Sequence, residues 1–81
     1  MKLVRHVLRK LYRRRCIGAK HTAIENCYTG IPKHLQGKAK QTTKHLIQQG
    51  IIQTKNTHYG TQVSIHPERI EEVRNILSNN Q

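Results

Sequence analysis

The sequence predicts an α+β fold in which helices pack around a β-hairpin. Three observations carry that prediction. Apolar residues recur at helical spacing over separate stretches, the run after Gly50 changes to the two-residue alternation of strands, and Gly18, Gly30, Pro32, Gly50 and Pro67 fall between the periodic segments. The resulting order is helix, short strand, helix, helix, β-hairpin and C-terminal helix, in a single domain spanning 1–81.

The first helix is expected over about 2–15. Leu3, Val4, Val7, Leu8, Leu11 and Tyr12 form its apolar stripe, and Arg5, His6, Arg9, Lys10, Arg13 and Arg14 occupy the other face. Gly18 is the expected site of a positive φ after its end, and the basic last turn suits the helix dipole. Lys20 to Thr22 reads as a short extended segment. Thr22 and Glu25 have the spacing of a capping box, so a short second helix is expected there, with Ile24, Cys27 and Tyr28 inward and Gly30 at its end. Ile31-Pro32 prevents direct continuation.

A third helix is expected to begin between Lys33 and Lys38 and to stop at Gly50. Leu35, Ala39, Thr42, Thr43, Leu46 and Ile47 gather on its inner side; Lys40, Gln41, Lys44 and Gln48 lie opposite, flanked by Lys38 and His45. Ile51 to Lys55 and Gln62 to Ile65 read as the two strands of a hairpin, with the tip at His58 to Gly60 and with Val63 and Ile65 facing one way. Pro67 opens the last helix, about 67–77, whose stripe is Ile70, Val73 and Leu77; Ser78 to Gln81 are expected to fray.

A domain of 81 residues with no Trp or Phe must build a thin core from aliphatic side chains. Its formal net charge is +11. Of the 15 Lys and Arg only Arg69 and Arg74 lie beyond residue 60, and of the four acids only Glu25 lies before it, so the positive charge resides in the first 60 residues. A one-signed field of this size repels itself in a compact chain and is relieved by a polyanion, which makes DNA, RNA and an anionic membrane the candidate partners.

No apolar run approaches the ~18 residues of a membrane span. No secretory h-region precedes Cys16 and Cys27, so a cytoplasmic chain with free thiols is expected. The Arg-rich start also has the composition of a mitochondrial targeting segment, but residues 2–15 contain no Ser.

The order of elements and the phrase Ala39-x-x-Thr42-x-x-x-Leu46-Ile47-x-x-Gly50-Ile51-Ile52 resemble the winged helix-turn-helix family over residues 20–65. His21-Thr22-Ala23-Ile24-Glu25-Asn26 together with Tyr59-Gly60 is also similar to small uncharacterised archaeal winged-helix proteins. The resemblance implies a nucleic-acid-binding protein, transcription-regulator-like or chromatin-associated, whose third helix enters the major groove and whose hairpin touches the neighbouring backbone.

Carried onto this chain, the resemblance gives base contact to Gln41, Lys44 and Gln48. The chemistry fits, because Gln pairs bidentately with adenine and Lys donates to guanine O6 and N7. Lys38, Lys40, Lys55 and His58 suit the backbone, and Tyr59 either stacks on a base or folds back over the hairpin. Arg5, Arg9, Arg13 and Arg14 make the first helix more basic than a bracing helix needs, and with Arg15 and Lys20 they suit a second stretch of backbone.

The mixture of Gln and Lys favours duplex DNA over RNA, and the basic first helix keeps a ribosome-associated RNA-binding reading as the alternative. Nucleoid or ribosome association within the cytoplasm follows from either. A protein-interaction module is the further alternative, and the stripe on the first helix offers a seam for a homodimer. A membrane-surface role needs only one basic helix and leaves the other basic residues unexplained.

No metal or other cofactor is expected, since Cys16, His21, Cys27 and His34 lack paired ligand spacing. No enzymatic activity is expected either, because His21 and Glu25 sit four apart without a nucleophile or a phosphate-cradling loop.

Overall fold

The computed structural model describes residues 3–78. It is an α+β domain with three α-helices and one three-stranded antiparallel sheet among the described residues. The α-helices are α1 (Leu3–Arg13), α2 (Gln36–Gln48) and α3 (Ile70–Ser78); the strands are β1 (Thr22–Ala23), β2 (Ile52–Thr57) and β3 (Gly60–Ile65). Single 3-10 turns cover Ile24–Cys27, Lys33–Leu35 and Pro67–Arg69.

β3 lies in the middle of the sheet, paired with β2 from Ile52↔Ile65 to Thr57↔Gly60 and with β1 at Thr22↔Val63. The segment after α1 joins the same strand: Ile65 N–H donates to Cys16 O at 2.8 Å, and Gly18 N–H donates to Ile65 O at 3.0 Å. The core therefore collects around Val63 and Ile65. Val7, Leu8 and Leu11 of α1, Leu46 of α2, Ile51 and Ile52, Val73 of α3 and both cysteines are buried with them. Tyr12, Ile47, Ile70 and Leu77 pack partly buried against that cluster.

The reverse face of β3 is sealed by polar groups. Ser64 is fully buried; its Oγ donates to Gly18 O and accepts from Gln53 Nε2, both at 3.0 Å. Gly18 has φ +65°, and a Cβ there would lie 3.2 Å from Pro67 Cγ, so both the backbone and the space call for glycine. Burial pushes the Cys27 thiol up to about 11, despite a hydrogen bond with Thr43 that opposes the shift. Such a thiol stays protonated and unreactive at neutral pH.

Two helices end in the same way. After α2, Ile51 N–H reaches Leu46 O at 3.1 Å and Gly50 N–H reaches Ile47 O at 3.0 Å; after α1, Cys16 N–H reaches Leu11 O at 2.9 Å and Arg15 N–H reaches Tyr12 O at 3.0 Å. Both are Schellman closures, with a buried residue (Ile51 or Cys16) folded back beside a buried leucine. The left-handed position is Gly50 (φ +80°) in one and Arg15 (φ +55°) in the other. A side chain in that conformation costs about 1–2 kcal/mol relative to ordinary helical backbone.

Four local expectations change. The first helix stops at Arg13 rather than Arg15, because the chain already takes its positive φ at Arg15, three residues before Gly18. The predicted capping box does not form: Thr22 is drawn into β1 by Val63, and its hydroxyl accepts from Asn26 Nδ2 at 2.6 Å instead. The short second helix is accordingly a 3-10 turn. The last helix begins with a 3-10 turn opened by Pro67, and α proper starts at Ile70. Ser78, the first residue expected to fray, ends α3, while the predicted helical start at Lys2 and the fraying of Asn79 to Gln81 lie outside the described residues.

Leu46 is 2% exposed where α2 meets the core, whereas Lys44 faces solvent. Leu46→Ala is expected to cost about 2–5 kcal/mol through the cavity it leaves. Lys44→Ala should change stability by less than about 0.5 kcal/mol, as exposed sites do. Paired urea denaturation curves check both.

Candidate nucleic-acid interface

α2 has one buried and one solvated side. Ala39, Thr43 and Leu46 are its buried residues. At 3.6 residues per turn, Gly37, Gln41, Lys44 and Gln48 recur at i, i+4, i+7 and i+11 on the side opposite them, and all four are exposed. The outward face therefore carries two amides and an ammonium, with no acid anywhere on the helix. Lys38 and Lys40 occupy its flanks. On one side Lys38, Gln41, Thr42 and His45 border a groove with Leu3 and Val4 of α1. On the other, the Lys40 ammonium lies 5.8 Å from the centre of the Tyr28 ring, at a depression shared with Glu25, Thr29 and Gln36.

The hairpin presents Lys55 on β2 and His58-Tyr59 at its two-residue tip. Thr57 fixes the tip, its hydroxyl donating to Gly60 O at 2.8 Å and accepting from Tyr59 N–H at 3.1 Å. Tyr59 does not fold back, being 98% exposed. Of the two orientations open to it, the side chain takes the one available to a ligand.

α1 divides its cations. Arg9, Arg13 and Arg14 are exposed. Arg5 is not on that surface: it is partly buried and donates from Nη2 to Leu77 O at 3.5 Å, drawn to the carbonyl-rich end of α3. His6 and Lys10 turn toward the Thr29-Gly30 loop, where Lys10 donates to Thr29 Oγ1. The apolar stripe proposed as a dimer seam is occupied by this chain's own core through Val7, Leu8 and Leu11, and Val4 is its exposed large aliphatic residue.

Two ion pairs lie in the C-terminal part of the described residues. Arg69 holds Glu72 bidentately, with both bonds at 2.9 Å, and Arg74 pairs with Glu71. Among the described residues, none of the Lys and Arg from Arg9 to Lys55 lies within ion-pair distance of a carboxylate. Arg69 also donates to Gln49 O at 2.9 Å and so satisfies a carbonyl at the C-terminus of α2. Sequence reasoning missed that contact, since Arg69 and Gln49 belong to different helical segments.

Among the described residues no group of three His, Cys, Asp or Glu converges to hold a metal ion, and no helix is long and apolar enough to cross a membrane. No family model, curated protein or solved structure matches the chain. Its function has to be argued from its own residues.

The hydrogen bonds from Arg69 hold Glu72 below the ordinary carboxylate range. A depressed carboxylate stabilises the folded state above its unfolded pKa, and that contribution disappears as pH falls through the lower folded value. The Glu72 midpoint followed by NMR should therefore rise when Arg69 is replaced in Arg69→Gln, and in the parent the Gln49 and Gly50 amide signals should move with Glu72. A Glu72 midpoint unchanged in Arg69→Gln would remove the Arg69 clamp.

Proposed function

We propose that this chain is a winged-helix nucleic-acid-binding protein that places α2 in the major groove of duplex DNA, with the β2–β3 hairpin as the wing. The acid-free outward face of α2, with Gln41, Lys44 and Gln48 in one row, carries the reading. Amides and an ammonium are the groups that match base edges. Supporting it are the order of α1, β1, two turns, α2, β2, β3 and α3, and a hairpin tip whose His58 and Tyr59 are exposed.

In this reading Lys38, Lys40 and Lys55 bind phosphates, Arg9, Arg13 and Arg14 follow a further stretch of backbone, and Arg5 serves the fold. Binding of this kind releases counterions from the DNA, so affinity falls steeply with salt. One observation favours structured RNA as a second reading: the exposed arginines of α1 supply backbone contacts that carry no sequence information.

If six or more phosphates are contacted, affinity for duplex DNA should fall about 10³–10⁵-fold between ~50 and ~200 mM salt. Fluorescence anisotropy across that range checks it, and a flat profile would sink the electrostatic account.

Base reading is separable from positioning. Gln41→Ala and Gln48→Ala should lose discrimination between sites, by about 1–3 kcal/mol for each good bidentate contact, while Arg9→Ala and Arg13→Ala weaken all sequences alike. Selection from random duplexes with each variant makes the comparison. Failure of the parent to enrich any motif at low salt would transfer the function to RNA.

A further inference from the structure

We infer that a second cleft, lined by Tyr12, Arg13, Arg15, Ile17 and Arg74, binds a phosphate group, and that this site is separate from the α2 face. The cleft has a volume of about 320 Å³ and lies where the end of α1 meets α3. Tyr12 and Ile17, both partly buried, belong to the packing around the core, and Arg13, Arg15 and Arg74 complete the lining.

The three arginines are held differently. Arg74 comes from α3 and is fixed in place: its Nε donates to the Tyr12 hydroxyl at 3.3 Å, and Glu71 holds Nη1. Arg13 and Arg15 are exposed and meet no carboxylate. The Arg74–Glu71 pair neutralises one of the three charges, leaving the other two for a ligand. A phosphate group matches such a set, since planar guanidinium groups deliver paired N–H donors to its oxygens.

The helix dipole accounts for cations near the end of α1, but not for where Arg15 sits. Arg15 occupies the left-handed position of a closure that the chain builds a second time after α2, where the same position is glycine. Glycine there is free of the strain that Arg15 carries. Strained backbone that the surrounding structure maintains is characteristic of binding sites. At Arg15 that backbone sets a cationic residue in the lining of a cleft that also holds the anchored Arg74.

The shared chemistry is a phosphate group, and it has two possible sources: the backbone of a nucleic acid or a free phosphate compound. The inference does not depend on α2 reading bases.

The test uses the full chain labelled with ¹⁵N. Inorganic phosphate and, separately, a short oligothymidylate are titrated at ionic strength held constant with chloride. Saturable shifts at the Arg13, Arg15 and Arg74 Nε–H signals and at the Arg15 and Cys16 amides are expected. Arg15→Gly should melt no lower than the parent, because it relieves the left-handed position, yet bind the probe about tenfold more weakly. Lys33→Gln removes the same charge from an exposed site away from the cleft and should bind as the parent does.

Oligonucleotide and phosphate both saturating the same signals would identify the source as nucleic-acid backbone; phosphate alone doing so would identify a free phosphate compound. Either outcome supports the site, and the second leaves the α2 reading to be judged on its own variants. Shifts no larger than those given by chloride, or an Arg15→Gly protein that binds phosphate like its parent, would overturn it.

Discussion

β3 receives hydrogen bonds along both edges, from β2 on one side and from β1 and the Cys16–Gly18 segment on the other, so its last residues are covered from every direction. Val63 and Ile65 face the aliphatic core, while Ser64 faces the opposite way and is closed over by Gln53 and Gly18. A chain without Phe or Trp has few large side chains with which to fill space. The buried residues of the three helices therefore fill the core jointly, α1 packing against β3, α2 and α3, and α2 against β2. Buried polar groups on the reverse face are tolerable because they are hydrogen-bonded there, and leaving one unpaired would cost about 1–3 kcal/mol.

This shared core governs where the charge can go. Once the stripes of α1 and α2 are committed inward, their cations have only the outer faces left. The acids that might neutralise them lie mostly beyond residue 60, where Glu71 and Glu72 are already held by Arg74 and Arg69. The C-terminal segment is thus internally paired and structural. Arg69 caps α2, and the end of α3 takes up Arg5. The remaining cations repel one another in the folded state, and an external polyanion relieves that repulsion.

Periodic features were legible in the sequence because they depend on near neighbours. Val7, Leu8 and Leu11 of the expected α1 stripe and Ala39, Thr43 and Leu46 of the expected inner side of α2 are buried, although Val4 is exposed and Leu35 precedes α2; the hairpin forms with a shorter tip, Gly60 belonging to β3. The misplaced features depend on distant partners. Thr22 has the spacing of a helix cap, but Val63, far along the chain, recruits its backbone into a sheet. Arg5 shares the spacing of Arg9 and Arg13, but the carbonyl end of α3 lies within its reach. Gly18 takes the positive φ expected after α1 and also approaches Pro67 closely, yet the left-handed residue in the closure of the helix itself is Arg15, where glycine is usual.

That left-handed arginine links the fold to its chemistry. Tyr12 accepts from Arg74 through its hydroxyl and from the Arg15 N–H through its carbonyl, so one residue joins the anchored arginine to the strained one. Its ring packs partly buried against the core. The α2 face has no comparable support: Gln41, Lys44 and Gln48 are held only by the helix that carries them. A surface of that kind can adapt its rotamers to a partner, at an entropic cost for each side chain that is ordered. The arginine cleft is pre-organised on one side and needs to order only Arg13 and Arg15. The two regions therefore suit different tasks, adaptable contact on α2 and fixed capture of an anion at the end of α1.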